Sequence, residues 1–170
     1  MVDLVSQLEK IKPSIDTVIN EVLSTAQFIN GPEVKAFQIE LQDYLGVKHV
    51  IPCANGTDAL QVALMALDLN PGDEVITTDF TFASSVEVIA LLGLKPVLVD
   101  VEIDTFNIDF NKIEKAITNK TKAIIPVHLL GNAGNIAEIK MFCEDRDIVL
   151  IEDSTACNTC NLRILASQQK

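Results

Sequence analysis

The stretch Cys53-Ala54-Asn55-Gly56-Thr57-Asp58-Ala59-Leu60 decides how this chain is read. A β-rich run, His49-Val50-Ile51, stops at Asn-Gly, and an amphipathic pattern of helical period begins there. A strand that breaks at Gly-Thr into a helix makes a phosphate cradle. The first N–H groups of a helix have no intrahelical partner and lie at the positive end of its dipole, so an anion gains hydrogen bonds and field stabilisation together. Gly56 lets such an anion approach the backbone closely, and Thr57 adds a hydroxyl donor. The same residues also suit a plain N-cap, with Asn55 or Thr57 closing a helix that binds nothing. Both readings stay open at this point.

Outward from that turn, the chain after residue 48 alternates short apolar runs (49–54, 74–78, 96–101, 122–128 and 148–152) with helical patterns (58–69, 82–92, 109–117 and 136–145). Runs such as Val97-Leu98-Val99 and Ala123-Ile124-Ile125 do not alternate with polar residues, which predicts strands covered on both faces. Strand–helix alternation predicts an α/β fold, a mostly parallel sheet of about five strands with flanking helices. Ahead of it, Leu4, Leu8, Ile11, Ile15, Val18, Ile19 and Val22 form a helical stripe, interrupted or restarted at Pro13. Gly31-Pro32-Glu33 then opens a second helix through Val34, Phe37, Leu41 and Leu45 to a Gly46 cap.

The 170 residues, 48% of them hydrophobic, suffice for the core of one domain of usual size. A net charge of −11 argues against any partner dominated by phosphate backbones, so no nucleic-acid role is expected. No apolar run approaches the ~18 residues of a membrane span, and the N-terminus has neither a basic nor an apolar leader segment, which predicts a cytoplasmic protein without a membrane partner. The four cysteines, Cys53, Cys143, Cys157 and Cys160, are expected to be reduced. Cys157 and Cys160 form a C-x-x-C that would suit a redox pair or half a zinc site, but no second half accompanies it and no metal site is expected.

Ligands of a parallel sheet bind beyond the carboxyl ends of its strands. That rule selects Asn55-Gly56-Thr57-Asp58, Asp79-Phe80-Thr81-Phe82, Asp100 with Asp104, His128, and Asp153 with Ser154. A phosphate cradle, an aromatic ring and a carboxylate together can hold a flat, phosphorylated, cationic heteroaromatic.

The motifs are F-I-N-G-P-E-V at 28–34, N-G-T-D-A-L at 55–60, P-G-D-E-V-I at 71–76, T-F-x-S at 81–84, P-V-H-L-x-G at 126–131 and I-E-D at 151–153. In that order they resemble the DegT/DnrJ/EryC1/StrS family of pyridoxal-phosphate (PLP)-dependent aminotransferases, over about Met1 to Asp153. The resemblance implies the large domain of the fold type I PLP-dependent transferases. It also implies transfer of an amino group from an amino donor to a keto sugar carried on a nucleotide, as in amino-sugar and polysaccharide biosynthesis, by a homodimer. Carried over by position, Gly56 and Thr57 would hold the cofactor phosphate, Phe82 would stack on the pyridine ring, and Asp153 would pair with the ring nitrogen. Phe82 would otherwise be plain core, and Asp153 a strand-end cap. His128 is assigned no chemical role, since a neutral imidazole buried beside the sheet accounts for it equally well.

Two departures qualify the resemblance. The family follows I-E-D with a short stretch ending in a Gln that contacts the cofactor, whereas Ala156 takes that place here. The run Cys157-Asn158-Thr159-Cys160-Asn161-Leu162-Arg163 matches nothing in the family. Residues 1–156 accordingly read as part of the large domain with its N-terminal helices, and 157–170 as a divergent tail. The family's Schiff-base lysine lies well beyond the Asp, and Lys170 is the sole lysine after it here. The expectation is therefore a truncated chain with no catalytic residue of its own, holding PLP non-covalently and weakly if at all. The other class of reading is a non-catalytic protein with a residual phosphate or PLP site or a dimerisation role. A Rossmann-like or flavodoxin-like nucleotide binder is a third reading, disfavoured by the lack of G-x-G-x-x-G and of a P-loop lysine.

Overall fold

The computed structural model describes residues 3–155. It divides after Pro52 into an N-terminal helical unit and an α/β unit.

The N-terminal unit contains α1 (Leu4–Thr25) and α2 (Pro32–Leu45). The apolar stripe of α1 keeps its phase through Pro13, and the helix runs unbroken across it for 22 residues. The expected interruption is absent because a proline deletes one backbone hydrogen bond, a local loss that a long helix tolerates. Asp3 caps α1, its carboxylate accepting from the Ser6 N–H at 3.1 Å and the Ser6 hydroxyl at 2.7 Å, which holds that carboxyl below its usual range. Pro32 opens α2, and Gly46 ends it at φ +62°, the left-handed conformation that a glycine adopts without strain.

In the α/β unit, α3 (Gly56–Met65), α4 (Ser84–Leu91), α5 (Phe110–Ala116) and α6 (Ile136–Glu144) surround four parallel strands: β1 (Glu74–Thr78), β2 (Lys95–Val99), β3 (Thr121–Ile125) and β4 (Val149–Leu150). The strand order is β2-β1-β3-β4. Side chains alternate across the sheet and sort into two cores. Ile76, Val99, Ile124 and Leu150 pack with Ile113 of α5 and with Ile139 and Phe142 of α6. Val75, Ala123, Ile125 and Ile151 pack with Leu60 and Leu64 of α3 and with Val88 and Ile89 of α4. The result is helix on both faces of the sheet, and β1 is buried at all five residues, Glu74, Thr77 and Thr78 included.

Two expectations need correction. Residues 49–54 join no ladder, so the described sheet has four strands and not five. A β-branched run becomes a strand only when a neighbouring strand pairs with it in a ladder, and 49–54 belong to no ladder among the described residues. The run 96–101 was expected to be covered on both faces, but β2 is an edge strand and Leu98 is 50% exposed. Pro96 fits an edge, where a missing N–H breaks no ladder.

At the amino end of β1, the Glu74 carboxylate is buried and accepts from the Thr118 hydroxyl at 2.5 Å and from the Lys95 ammonium at 2.9 Å. These contacts, the Thr118 bond foremost, hold its carboxyl below the ordinary 4.5. The depressed value means that Glu74 contributes stability above its unfolded pKa and loses that contribution as pH falls through the folded one. Glu74→Gln is expected to flatten the acid limb of the stability curve below about pH 4.5, measured by urea unfolding across pH. An unchanged acid limb would refute the assignment. Ile124, fully buried in the central strand β3, tests the core: Ile124→Ala is expected to cost about 2–5 kcal/mol in the same assay.

Candidate active site

Past the end of β4 the backbone stays paired with the chain beyond β3. The Asp153 N–H donates to the Pro126 carbonyl and the His128 N–H to the Asp153 carbonyl, each at 2.9 Å. Asp153 continues the series Val149, Ile151, and the two-residue period of an extended chain turns its side chain toward the layer of α3 and α4. There it is buried, and the Ser85 hydroxyl, in the first turn of α4, donates to its Oδ2 at 2.9 Å. The Thr81 and Ser85 hydroxyls share a bond of 3.1 Å. On the other oxygen, Asp153 Oδ1 accepts from the Thr155 N–H at 3.2 Å and from the Thr155 hydroxyl at close range. Among the described residues no cation forms an ion pair with this carboxylate.

The sequence-selected residues gather about this group. Gly56 is the first residue of α3, and a Cβ built on it would collide with the Thr155 side chain, so glycine is what lets the helix start reach the strand end. Asn55 caps α3: its side-chain oxygen accepts from the Asp58 N–H at 2.9 Å and its amide donates to the Asp58 carboxylate at 3.1 Å. The N–H groups of Gly56 and Thr57, which head the helix, have no acceptor within α3. Thr57 is half-buried. Phe82 precedes α4, its carbonyl accepting from the Ser85 N–H at 3.2 Å, and its ring is 72% exposed, which rules out core packing in the described chain. Gly56, Phe82 and Asp153 are thus joined through Thr155 and Ser85, with Thr57 beside Gly56.

Other selected residues lie outside this network. On the opposite face, by the same two-residue period, His128 Nε2 meets Glu152 Oε2 at 3.1 Å, both residues buried. Ser154 is buried with its hydroxyl oxygen unmatched among the described residues, leaving one polar group of the strand end to be satisfied. Asp79, Asp100 and Asp104 are exposed. Asp100 holds Lys112 at 2.5 Å, a contact that keeps the carboxyl below its usual range and the ammonium above its own. Burial pushes the Cys143 thiol up to about 12, which makes it a packing group and not a nucleophile. Ala156, Cys157, Cys160 and Lys170 lie outside the described residues.

Sequence reasoning missed Ser85 and Thr155, and it selected Thr81 only as part of the strand-end segment 79–82, with no role assigned. A faint signal existed: Ser84-Ser85 opens a helix that is otherwise mostly apolar, and Thr81 stands four residues before Ser85.

The sequence profile of the DegT/DnrJ/EryC1/StrS aminotransferase family matches residues 9–163. A UDP-2-acetamido-2-deoxy-3-oxo-D-glucuronate aminotransferase of Pseudomonas aeruginosa is 44% identical over 97% of this chain and 48% of its own length. A DegT DnrJ EryC1 StrS aminotransferase from Brucella abortus superimposes with a TM-score of 0.87 at 42% identity, covering 90% of this chain and 43% of that one. The Bacillus subtilis protein NtdA, solved with bound cofactor PMP, gives 0.84 at 38% identity, over 92% and 35%. This chain spans less than half the length of the curated relatives it matches. With most of its residues matched by the family profile, by a close relative and by a shared fold, the chain belongs to the DegT/DnrJ/EryC1/StrS aminotransferase family.

Proposed function

We propose that residues 53–155 form the cofactor side of a PLP-dependent aminotransferase acting on a keto sugar carried by a nucleotide, with an amino donor as the second substrate. The observation that carries this reading is the buried Asp153 carboxylate, bonded by hydroxyls and one N–H but by no cation among the described residues, beside the start of α3 and tied through Ser85 to the backbone of Phe82. A buried carboxylate is costly without a countercharge, and a protonated ring nitrogen supplies one. The donor set fits the group on three counts. The helix-start N–H groups of Gly56 and Thr57 suit a phosphate, Phe82 offers a free face for stacking, and Asp153 retains acceptor capacity.

Bound PLP supplies an electron sink for a carbanion. Within the chain, Gly56 and Thr57 would hold the phosphate, Phe82 would stack on the ring, and Asp153 would hold the proton on the ring nitrogen. The reading assigns no covalent anchor and no proton-moving base to residues 1–170, so this chain by itself holds the cofactor weakly and non-covalently and transfers no amino group. It also places the protein in the cytoplasm as a homodimer. The described residues contain no helix long and apolar enough to cross a membrane, and Leu98 and Phe82 leave apolar surface exposed.

The test combines binding with chemical trapping. Titration of the chain with PLP, followed by absorbance, is expected to show weak saturable binding that Thr57→Ala and Asp153→Ala abolish. Borohydride reduction followed by intact-mass measurement is expected to leave no stoichiometric pyridoxyl adduct. Absence of PLP binding by the unaltered chain would overturn the cofactor assignment. A specific adduct on one lysine, together with amino transfer to a keto-sugar nucleotide, would show that the chain is an enzyme in its own right.

A further inference from the structure

We infer that Ser85 is the positioning residue of the site: its hydroxyl fixes the Asp153 carboxylate in the orientation that receives a ring nitrogen. The inference rests on the PLP reading above and extends it to a residue that sequence reasoning passed over.

A hydroxyl has one proton to give and accepts through its lone pairs. Ser85 spends its proton on Asp153 Oδ2 at 2.9 Å, so in the 3.1 Å contact with Thr81 it is Ser85 that accepts and Thr81 that donates. The order of donation therefore runs one way, from Thr81 through Ser85 to Asp153. Each donor in such a series is polarised by the one before it, which strengthens the bond that reaches the carboxylate. The receiving end of the series lies away from bulk water: Ser85 is fully buried and Asp153 is buried, while Thr81 is half-buried. Hydrogen bonds to a charged acceptor count for most in such a setting.

The geometry divides the carboxylate between two elements. Thr155 takes Oδ1 with its N–H and hydroxyl, from the same strand end, and follows the chain wherever that end moves. Ser85 takes Oδ2 from α4, 68 residues away in sequence. Only the second bond ties Asp153 to a separate element, and it fixes the oxygen that Thr155 leaves unheld, so the two sets of bonds together set the orientation of the carboxylate. Ser85 also donates its N–H to the Phe82 carbonyl at 3.2 Å. One residue thus references both the nitrogen partner and the stacking ring to the start of α4. A carboxylate has room for about four acceptor bonds, and three are in use here, which leaves a place for the ring N–H.

If Ser85 acts through Asp153, removing its hydroxyl should weaken recognition of the ring nitrogen and of nothing else. The probes are PLP and its analogue in which carbon replaces the ring nitrogen, identical in phosphate and substituents. The unaltered chain is expected to prefer PLP, and Ser85→Ala to lower PLP affinity about tenfold while leaving the carbon analogue unchanged, so that the preference disappears. Thr81→Val, which removes the upstream donor with little change of shape, is expected to reduce the preference a few-fold. It carries the test if Ser85→Ala does not fold, as judged by circular dichroism. Equal weakening of both ligands by Ser85→Ala would assign Ser85 to packing and overturn the inference, as would a preference that survives in Ser85→Ala or is undiminished in Thr81→Val. Failure of the unaltered chain to bind either ligand would overturn the PLP reading itself. Binding of both ligands with no preference would remove Asp153 as the nitrogen partner, and Ser85's role with it.

Discussion

A parallel ladder cannot be closed by a tight turn, since each strand must be re-entered from the end where the last one began. Every connection from β1 to β4 therefore crosses the sheet, and α4, α5 and α6 are those crossings. One consequence is thermodynamic: with helices on both faces, Ile76 and Ile124 are sealed on one side of the sheet and Val75 and Ala123 on the other. The other is geometric. All strand ends of one polarity collect along one edge, so segments distant in sequence, around residues 56, 82 and 153, meet without any of them being long.

The two edges of the sheet carry different polar solutions. At the amino end of β1, Glu74 is buried but neutralised by Lys95 and capped by Thr118, an arrangement complete in itself. Beyond the carboxyl end of β4, Asp153 has hydroxyl donors and, among the described residues, no cation. A buried charge that is hydrogen-bonded yet uncompensated is held in readiness for a positive partner, whereas a closed ion pair only stabilises. That contrast supports the proposed placing of the chemistry at one edge of the sheet and of structural support at the other.

Much of the fold was legible because it depends on short-range pattern. The apolar period of 58–69 appears as α3, the strand expected at 74–78 as β1, and Gly46 as a left-handed cap. The misreadings share one cause. Whether residues 49–54 become a strand, and whether Leu98 is covered, depends on which element lies alongside, and no local pattern encodes a neighbour. Pro13 misled for a related reason, since its cost is local while the helix is stabilised along its whole length.

The candidate site divides in the same way. Gly56, Thr57, Phe82 and Asp153 were selected from the sequence because turn chemistry, helix-start physics and the position of a residue after a strand are properties of contiguous residues. Ser85 and Thr155 were not, and Thr81 was selected only for its place after a strand, because a serine near a helix start has an obvious local use in capping, and nothing along the chain reveals that it faces a carboxylate 68 positions away. The sequence by itself determined the elements, their alternation and the residues able to meet a phosphorylated heteroaromatic. The tertiary structure alone decided which hydroxyls hold Asp153, because the sheet's two-residue period and the docking of α4 settle that match jointly, and neither is written in any one stretch of the chain.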